Sequence, residues 1–192
     1  MSNPLCSIIL VGLKHSGKST MGKLLAKKMS SDFIDTDEVI EKITGLSPRD
    51  LYNQKGPAAF MIAEEEACKK IVAENQNKQL VIATGGGICD NAPALNELQS
   101  IGNFVFLRLD MEFSIKRIEA KISKDEFGNW QNLPAYVATY EPKSIAQIHQ
   151  ILEQRFSERF ASYEAISEIV VQLKNAPIEE NFKLITGALN IN

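Results

Sequence analysis

Hydrophobic residues along the chain fall into short runs that are separated by longer segments of mixed polarity. Five runs are apolar, rich in β-branched residues and short enough to form strands. They lie at residues 7–11, around 33–34, and at 80–83, 104–109 and 169–173. We interpret them as the buried strands of a parallel sheet.

The segments between these runs have the spacing of apolar residues that is typical of helices. Helices are predicted at residues 18–29, 60–74, 92–98, 113–122 and 144–160. Because strands and helices alternate, right-handed crossovers should place helices on both faces of the sheet. The predicted fold class is therefore α/β.

A last helix is predicted after Pro177, because proline is well tolerated at the start of a helix. Its apolar residues would pack on the sheet and close the fold. They are Ile178, Phe182, Ile185 and Leu189.

One segment, residues 125–143, interrupts the alternation with aromatic residues and prolines at no regular period. A loop of this length inside a compact domain is usually functional or mobile. It could form a lid over an active site, or it could be a surface excursion packed by its own aromatic side chains. A chain of 192 residues otherwise predicts one domain, residues 1–192.

Composition and charge restrict the possible partners. The net charge of -3 provides no broad basic field, so we expect neither a nucleic acid nor a membrane as partner. The apolar run at residues 5–13 has no basic leader and is too short to span a bilayer. Cys6, Cys68 and Cys89 are odd in number and lack metal-type spacing, so reduced thiols and a cytoplasmic location are expected.

The most specific motif is GLKHSGKS at residues 12–19, which satisfies G-x-x-x-x-G-K-[ST] between a predicted strand and a predicted helix. Glycines let backbone N–H groups converge on phosphate oxygens, and the helix that follows adds the positive end of its dipole. Lys18 would bind the β- and γ-phosphates of ATP, and the Ser19 hydroxyl would bind Mg²⁺. The sequence therefore predicts an ATP site that uses magnesium.

The predicted ATP contacts extend over the whole loop. His15 has no acidic or metal-ligating neighbour in the sequence, so we expect it to offer its backbone N–H and not to act as a general base. The loop residues expected at the nucleotide are Gly12, Lys14, His15, Ser16, Gly17, Lys18, Ser19 and Thr20.

Two carboxylates follow the second apolar run, at Asp35 and Asp37. At a spacing of two in a strand they would share one face at the carboxyl end of the sheet, where open α/β sheets bind ligands. One could hold magnesium while the other accepts the proton of a substrate hydroxyl. Alternatively, Asp37 only caps a helix over residues 38–43.

Three glycines, Gly85, Gly86 and Gly87, end the third apolar run. They permit a positive φ and a close approach of ligand to main chain, although in isolation they could simply form a turn. The glycines gain significance from the phosphate loop that precedes them.

With these motifs in this order, most of the chain resembles the shikimate kinase family. That resemblance implies a three-layer α/β P-loop kinase fold with a five-stranded parallel sheet, a substrate-binding insertion around residues 37–65 and a mobile lid around 123–143. It also implies transfer of the γ-phosphate of ATP to the 3-hydroxyl of shikimate with Mg²⁺, in aromatic amino-acid biosynthesis. We further expect a monomer whose other ligand is a small hydroxylated acid.

The resemblance also assigns roles to individual residues. Lys18 and Asp37 would be catalytic, and Ser19 and Asp35 would hold the metal. Arg117 matches an arginine near the adenine. The shikimate site would comprise Asp37, Gly85, Gly86, Gly87 and Arg159, which matches an arginine that grips the substrate carboxylate.

Two positions depart from the family pattern. Phe60-Met61 stands where the family has Phe-Arg, so a second arginine contact with the acceptor is missing. Asn132 precedes Leu133-Pro134 where the lid should carry an arginine, and Lys124 or Lys143 could supply that charge. Loss of one charge-assisted contact weakens the binding of an acid by a few kcal/mol at most.

Three functions fit this pattern. The first is an ATP-dependent shikimate kinase. The second is a kinase for another small polyol or acid, because Met61 lies where acceptor choice would change. The third is a nucleotide-binding module without catalysis, for which the constellation of Asp37, the glycine triplet and Arg159 would have no use.

Overall fold

The computed structural model describes residues 6–191, and its elements alternate much as the hydrophobic pattern predicts. The strands are β1 Ser7–Val11, β2 Asp32–Asp35, β3 Leu80–Ala83, β4 Gly102–Arg108, β5 Ser123–Lys124, β6 Trp130–Gln131 and β7 Ile169–Gln172. The helices are α1 Lys18–Met29, α2 Thr36–Thr44, α3 Pro48–Glu74, α4 Ala92–Gln99, α5 Met111–Glu119, α6 Ala135–Ala138, α7 Ile145–Ile166 and α8 Ile178–Ala188.

Five of the strands form one parallel sheet in the order β2-β3-β1-β4-β7. The central strand β1 pairs with β3 from Ile8 opposite Val81, and with β4 from Ser7 opposite Gly102. All five carboxyl ends therefore meet at one edge, as the α/β prediction requires. The fold class and the five-stranded parallel sheet are confirmed.

Alternate residues of the strands pack on opposite faces of the sheet. In β1, Ile9 and Val11 join a core with α3, α4, α5 and α7, whereas Ile8 and Leu10 join a core with α1 and α8. Strand residues alternate in direction, so a fully apolar strand supplies both cores. This arrangement covers the sheet with helices on both faces.

Helix α3 is longer than the sequence indicated. It starts at Pro48, after the Ser47 side chain accepts a hydrogen bond from the Asp50 N–H, and it is kinked where Gly56 takes φ 84°. Residues on both sides of the kink pack with α2 around a small separate core, formed by Ile40, Leu51, Ala63 and Ala67. This helical pair occupies the region of the insertion predicted around residues 37–65.

The segment predicted as an irregular lid has secondary structure. Strands β5 and β6 pair as an antiparallel hairpin, and the Asp125 carboxylate accepts hydrogen bonds from the Phe127 and Asn129 N–H groups in its turn. The short helix α6 follows, and Val137 is fully buried in the main core. The second half of this segment is thus packed against the protein.

The other predicted helices are present with shifted ends: α7 continues to Ile166, six residues past its predicted end, and α5 spans Met111–Glu119 instead of 113–122. The predicted packing of α8 is correct except at one residue. Ile185 is buried, and Phe182 and Leu189 pack against the core, but Ile178 is 47% exposed and does not lie on the sheet. Pro177 is the N-cap, so Ile178 begins the first turn on the solvent side.

Other predictions concern features outside the sheet. The thiols of Cys6, Cys68 and Cys89 are free. Within residues 6–191, no helix combines the length and apolar character needed to cross a membrane. Residues 1–5 and 192, including the start of the predicted apolar run, lie outside the described residues.

Candidate active site

The phosphate loop joins β1 to α1 in a conformation that requires its glycines. Gly12 has φ 146°, and a Cβ there would lie 2.8 Å from the Leu107 carbonyl oxygen. Gly17 has φ 92° and forms the N-cap of α1. Such backbone angles are uncommon for residues with a Cβ, although His15 also takes a left-handed φ of 66°. The loop therefore points backbone N–H groups and a helix N-terminus toward one cleft.

Lys18, in the first turn of α1, is folded into the loop. Its Nζ donates hydrogen bonds of 2.9 Å to the Gly12 and Leu13 carbonyl oxygens, and the residue is 7% exposed. Burial lowers the pKa of Lys18 to about 8, while Asp37 and Asp35 act in the opposite direction. The side chain is therefore still protonated at neutral pH and available to a phosphate anion.

Asp35 joins the end of β2 to the phosphate loop. Its Oδ2 accepts a hydrogen bond of 2.6 Å from the Ser19 hydroxyl, and its Oδ1 accepts one of 3.0 Å from the Asp37 N–H. Asp35 is thus the N-cap of α2, so the proposed capping role of Asp37 is wrong.

Asp37 lies in the first turn of α2 rather than in a strand. The strand spacing used to pair it with Asp35 was therefore wrong, yet both carboxylates border the same cavity. The Asp37 side chain is open to this cavity, but surrounding protein removes part of its hydration, which together with Asp35 raises its pKa. Lys18 and Lys14 oppose the shift. A carboxylate with a raised pKa is a better proton acceptor.

The glycine triplet after β3 contacts three parts of the site. A Cβ on Gly86 would lie 2.7 Å from the Lys14 backbone nitrogen, so this glycine fits closely against the phosphate loop. A Cβ on Gly85 would lie 3.2 Å from Asp37 Oδ1. None of the three has a positive φ, so of the two predicted reasons for glycine only close approach applies.

Arg159 reaches the same triplet from α7. A Cβ on Gly87 would lie 3.2 Å from Arg159 Nη2, which donates a hydrogen bond of 3.0 Å to Asp90 Oδ2. The guanidinium carbon lies 5.0 Å from the ring centroid of Tyr136 in the lid. Arg159 is 8% exposed, and its Nε has no hydrogen-bond partner among the described residues. The arginine is therefore held in place with unused donor capacity.

Glu64 lies beside the glycine triplet, because a Cβ on Gly85 would be 3.3 Å from its Oε1, and the sequence analysis missed it. It is 1% exposed, and its Oε2 accepts a hydrogen bond of 3.0 Å from Asn91, while Oε1 has no partner among the described residues. Burial raises its pKa to about 7. The helical spacing of Glu64 from Ala67 and Cys68, which are both buried, is the sequence signal that could have found it.

Basic residues from α5 and the turn after it complete the nucleotide side. Arg117 Nη1 donates a hydrogen bond of 2.9 Å to the His15 carbonyl oxygen, and Lys121 Nζ lies 3.4 Å from His15 Nε2. Burial, and then the charge of Lys121, lower the pKa of His15 to about 4. An imidazole with so low a pKa is a weak proton acceptor, so a role for His15 as general base stays unexpected. Lys121 was not predicted as a site residue.

These groups surround a cavity of about 610 Å³. It is bordered by the phosphate loop, both aspartates, Gly86, Arg117 and Lys121, so the structure brings most of the predicted nucleotide residues together. Gly12 and Ser16 are buried in the loop itself and do not line the cavity. The predicted residues that line it are Lys14, His15, Gly17, Lys18, Ser19, Thr20, Asp35, Asp37, Gly86 and Arg117.

The site suits a magnesium ion that is shared with a phosphate group. Ser19 Oγ and Asp35 Oδ2 present adjacent oxygen atoms at the cavity, and Mg²⁺ is usually bound by one or two protein oxygens together with substrate phosphates and water. Within residues 6–191 there is no cluster of three or more His, Cys, Asp or Glu side chains able to hold a metal alone.

The two lysines considered as substitutes for the missing arginine both lie in the segment 123–143 that was predicted as a lid. Lys124 Nζ is 4.3 Å from the Trp130 ring centroid, and Lys143 lies 3.9 Å from Glu141 in an exposed pair. Arg49 in α3 is a cation next to the position where Asn132 replaces the family's arginine. Its Nη2 donates a hydrogen bond of 3.5 Å to the carbonyl oxygen of the following residue, Leu133.

A five-stranded parallel sheet, a phosphate loop and two aspartates that border the same cavity as that loop define a P-loop kinase. Comparison with known proteins identifies the family of P-loop kinases to which the chain belongs. The sequence profile described as Shikimate kinase matches residues 14–190. The chain belongs to the shikimate kinase family.

Individual relatives agree with this assignment. The chain is 33% identical over 174 residues to a shikimate kinase of Francisella tularensis subsp. holarctica, covering 90% of this chain and 88% of the relative. The crystal structure of shikimate kinase from Aquifex aeolicus is 31% identical, with a TM-score of 0.70 and 96% coverage of both chains. Shikimate kinase from Acinetobacter baumannii in complex with shikimate shares the fold, with 23% identity, a TM-score of 0.73 and coverage of 97% and 94%.

Proposed function

We propose that this chain transfers the γ-phosphoryl group of ATP to the 3-hydroxyl of shikimate, as part of aromatic amino-acid biosynthesis. The observation that carries the proposal is the glycine triplet, which contacts Lys14 of the phosphate loop, Asp37 and Arg159 in three successive residues. The residues that would bind ATP and those that would bind the acceptor molecule therefore lie around one main-chain segment. Phosphoryl transfer depends chiefly on such positioning of the two substrates.

The nucleotide half of the site would be formed by the phosphate loop. Its backbone N–H groups and Lys18 would bind the phosphates, and Lys18 would leave its two carbonyl partners to do so. Ser19 and Asp35 would hold Mg²⁺, which neutralises charge on the phosphates when it is bound. Arg117, together with Lys121, would border the base or the ribose.

The acceptor half would lie between Asp37 and Arg159. Asp37 would accept a hydrogen bond from the reacting hydroxyl and then its proton, for which its raised pKa is suited. Arg159 would bind the carboxylate through its free donor capacity. Gly85 and Gly87 would leave room for the acceptor beside those two side chains.

Several features of the proposal concern the whole chain. Residues 37–65 would form the acceptor-binding insertion of a single domain, and residues 123–143 would form a lid that closes over both substrates. Tyr136 of the lid contacts Arg159, so movement of the lid would change the surroundings of the arginine that binds the acceptor carboxylate. A monomeric state and a cytoplasmic location stay predictions.

A coupled assay of ADP formation tests the function. The full chain with ATP and Mg²⁺ is offered shikimate, gluconate, nucleoside monophosphates or no acceptor. We expect turnover that depends on shikimate and is abolished by Lys18→Ala. Turnover with gluconate or a nucleotide, but not with shikimate, would assign another acceptor. Binding of ATP without any acceptor-dependent turnover would instead support a nucleotide-binding module.

A further inference from the structure

A second arginine lies beside Arg159, one helical turn earlier in α7. Arg155 Nη2 is 3.6 Å from Asp90 Oδ2, the same oxygen atom that accepts the 3.0 Å hydrogen bond from Arg159 Nη2. Residues four apart lie on the same face of a helix, so the two guanidinium groups point to one place. In this structure the carboxylate of Asp90 lies between the two guanidinium groups.

We propose that Arg155 and Arg159 together bind the carboxylate of the acceptor, at the position that Asp90 occupies in this structure. This inference rests on the proposed function and adds a specificity-determining residue to it. It identifies the cation that compensates for Met61, which offers the acceptor no charge.

The position of Asp90 supports displacement. Asp90 ends the short 3₁₀ turn Ile88–Asp90 directly after the glycine triplet, and its side chain is 45% exposed. A carboxylate so close to solvent can turn outward at little cost, because water replaces its hydrogen bonds. Arg159, with its side chain 10% exposed, cannot turn outward in the same way. The arginines would thus stay in place while Asp90 gives way.

The geometry also suits an incoming carboxylate. Two guanidinium groups offer more donors than Asp90 uses, since Arg159 Nε has no partner among the described residues. Arg155 is also paired with Glu158 at 3.0 Å, but the side chain of Glu158 is 50% exposed and its charge is screened by solvent. A planar carboxylate is the group that such forked donors bind best.

Arg155→Gln tests the proposal in steady-state kinetics with shikimate and with its methyl ester, which lacks the negative charge. We expect the KM for shikimate to rise on the order of tenfold with kcat little changed, because a contact remote from the reacting hydroxyl is made equally in ground and transition states. The KM for the ester should stay the same. Arg155→Lys should restore part of the preference for the acid.

Two further variants complete the design. Asp90→Asn should lower the KM for shikimate, because it removes the competing charge. Lys78→Gln, which removes one positive charge from the exposed pair with Asp32, is the matched control and should leave both KM values unchanged. An equal rise for acid and ester in Arg155→Gln, no rise at all, or a higher KM in Asp90→Asn would overturn the proposal.

Calorimetric titration of shikimate into the ATP-free protein separates this inference from the proposed function. If wild-type protein shows no turnover but binds shikimate, and Arg155→Gln weakens that binding about tenfold, the arginine pair is supported while the function fails. If wild-type turnover is normal and Arg155→Gln binds shikimate as tightly as wild type, the arginine pair is wrong while the function stands. Absence of both turnover and binding would overturn both.

Discussion

The Ser19 hydroxyl donates a hydrogen bond of 2.6 Å to Oδ2 of Asp35, which joins the first turn of α1 to the end of β2. Asp35 has a second task, because its Oδ1 caps α2 through the Asp37 N–H. One side chain thus fixes the relative position of the proposed metal ligands and of the proposed catalytic carboxylate.

This arrangement predicts different effects for two isosteric substitutions. Asp35→Asn should raise the Mg²⁺ concentration needed for half-maximal activity, and because asparagine is also a good N-cap the helix should be retained. Asp37→Asn should instead lower kcat by about 10²-fold or more, since it removes the proton acceptor. Both are measured by titrating Mg²⁺ in the coupled assay. Small and equal effects would leave these aspartates with structural roles only.

The close fit of Gly86 against the phosphate loop gives a second prediction. In Gly86→Ala the new Cβ would meet the Lys14 backbone at 2.7 Å, so the loop must shift. We expect a stability loss of about 1–3 kcal/mol and weaker ATP binding, measured by chemical denaturation and calorimetry. Gly187→Ala is the matched control, because nothing lies within 4 Å of its Cβ and alanine favours helix α8. Unchanged ATP binding in Gly86→Ala would contradict the assigned packing.

Glu64 should make stability depend on pH. Burial raises its pKa from the usual 4.5 of a glutamate to about 7, so the folded protein binds the proton more tightly than the unfolded chain does. Stability should therefore fall as the pH rises from 4.5 to 7, on the order of 2 kcal/mol, and Glu64→Gln should remove this fall. Urea denaturation across this range provides the measurement. The exposed neighbour Glu66→Gln should keep the wild-type profile, and a Glu64→Gln profile parallel to wild type would refute the assignment.

The apolar residue at position 61 predicts a gain of function. Met61→Arg should lower the KM for shikimate with little change in kcat, because the added contact is remote from the transferring phosphate. Arg159→Ala should raise the KM by roughly 10²-fold, since this arginine is only 8% exposed and lies against the glycine triplet at the proposed acceptor site. Steady-state kinetics with varied shikimate measure both. An unchanged Met61→Arg and a mild Arg159→Ala would show that the acceptor is another molecule.

The sequence predicted most of the framework, because strands, helices and the phosphate loop depend on residues close together in the chain. The first half of α3 was missed since Gly56 and Pro57 interrupt the pattern, although the chain accommodates them in a kink. The hairpin at residues 123–131 was missed because its turn is built by hydrogen bonds that the Asp125 carboxylate accepts from the Phe127 and Asn129 N–H groups.

The contacts in the site that the sequence did not predict join residues far apart in the chain. Arg159 and Asp90 are 69 residues apart, and Glu64 meets Asn91 across 27 residues. No local pattern pairs these residues. Similarly, the strand spacing of Asp35 and Asp37 predicted a shared location for the wrong reason, because β2 ends at Asp35 and a helix begins at once.

The most direct test of the proposed function is the identity of the phosphorylated product. The full chain is incubated with ATP, Mg²⁺ and shikimate, and the mixture is examined by ³¹P NMR with correlation to the ring protons. We predict a phosphomonoester signal coupled to the proton at C3, formed in equal amount with ADP. Inorganic phosphate alone, or an ester at another hydroxyl, would contradict the account.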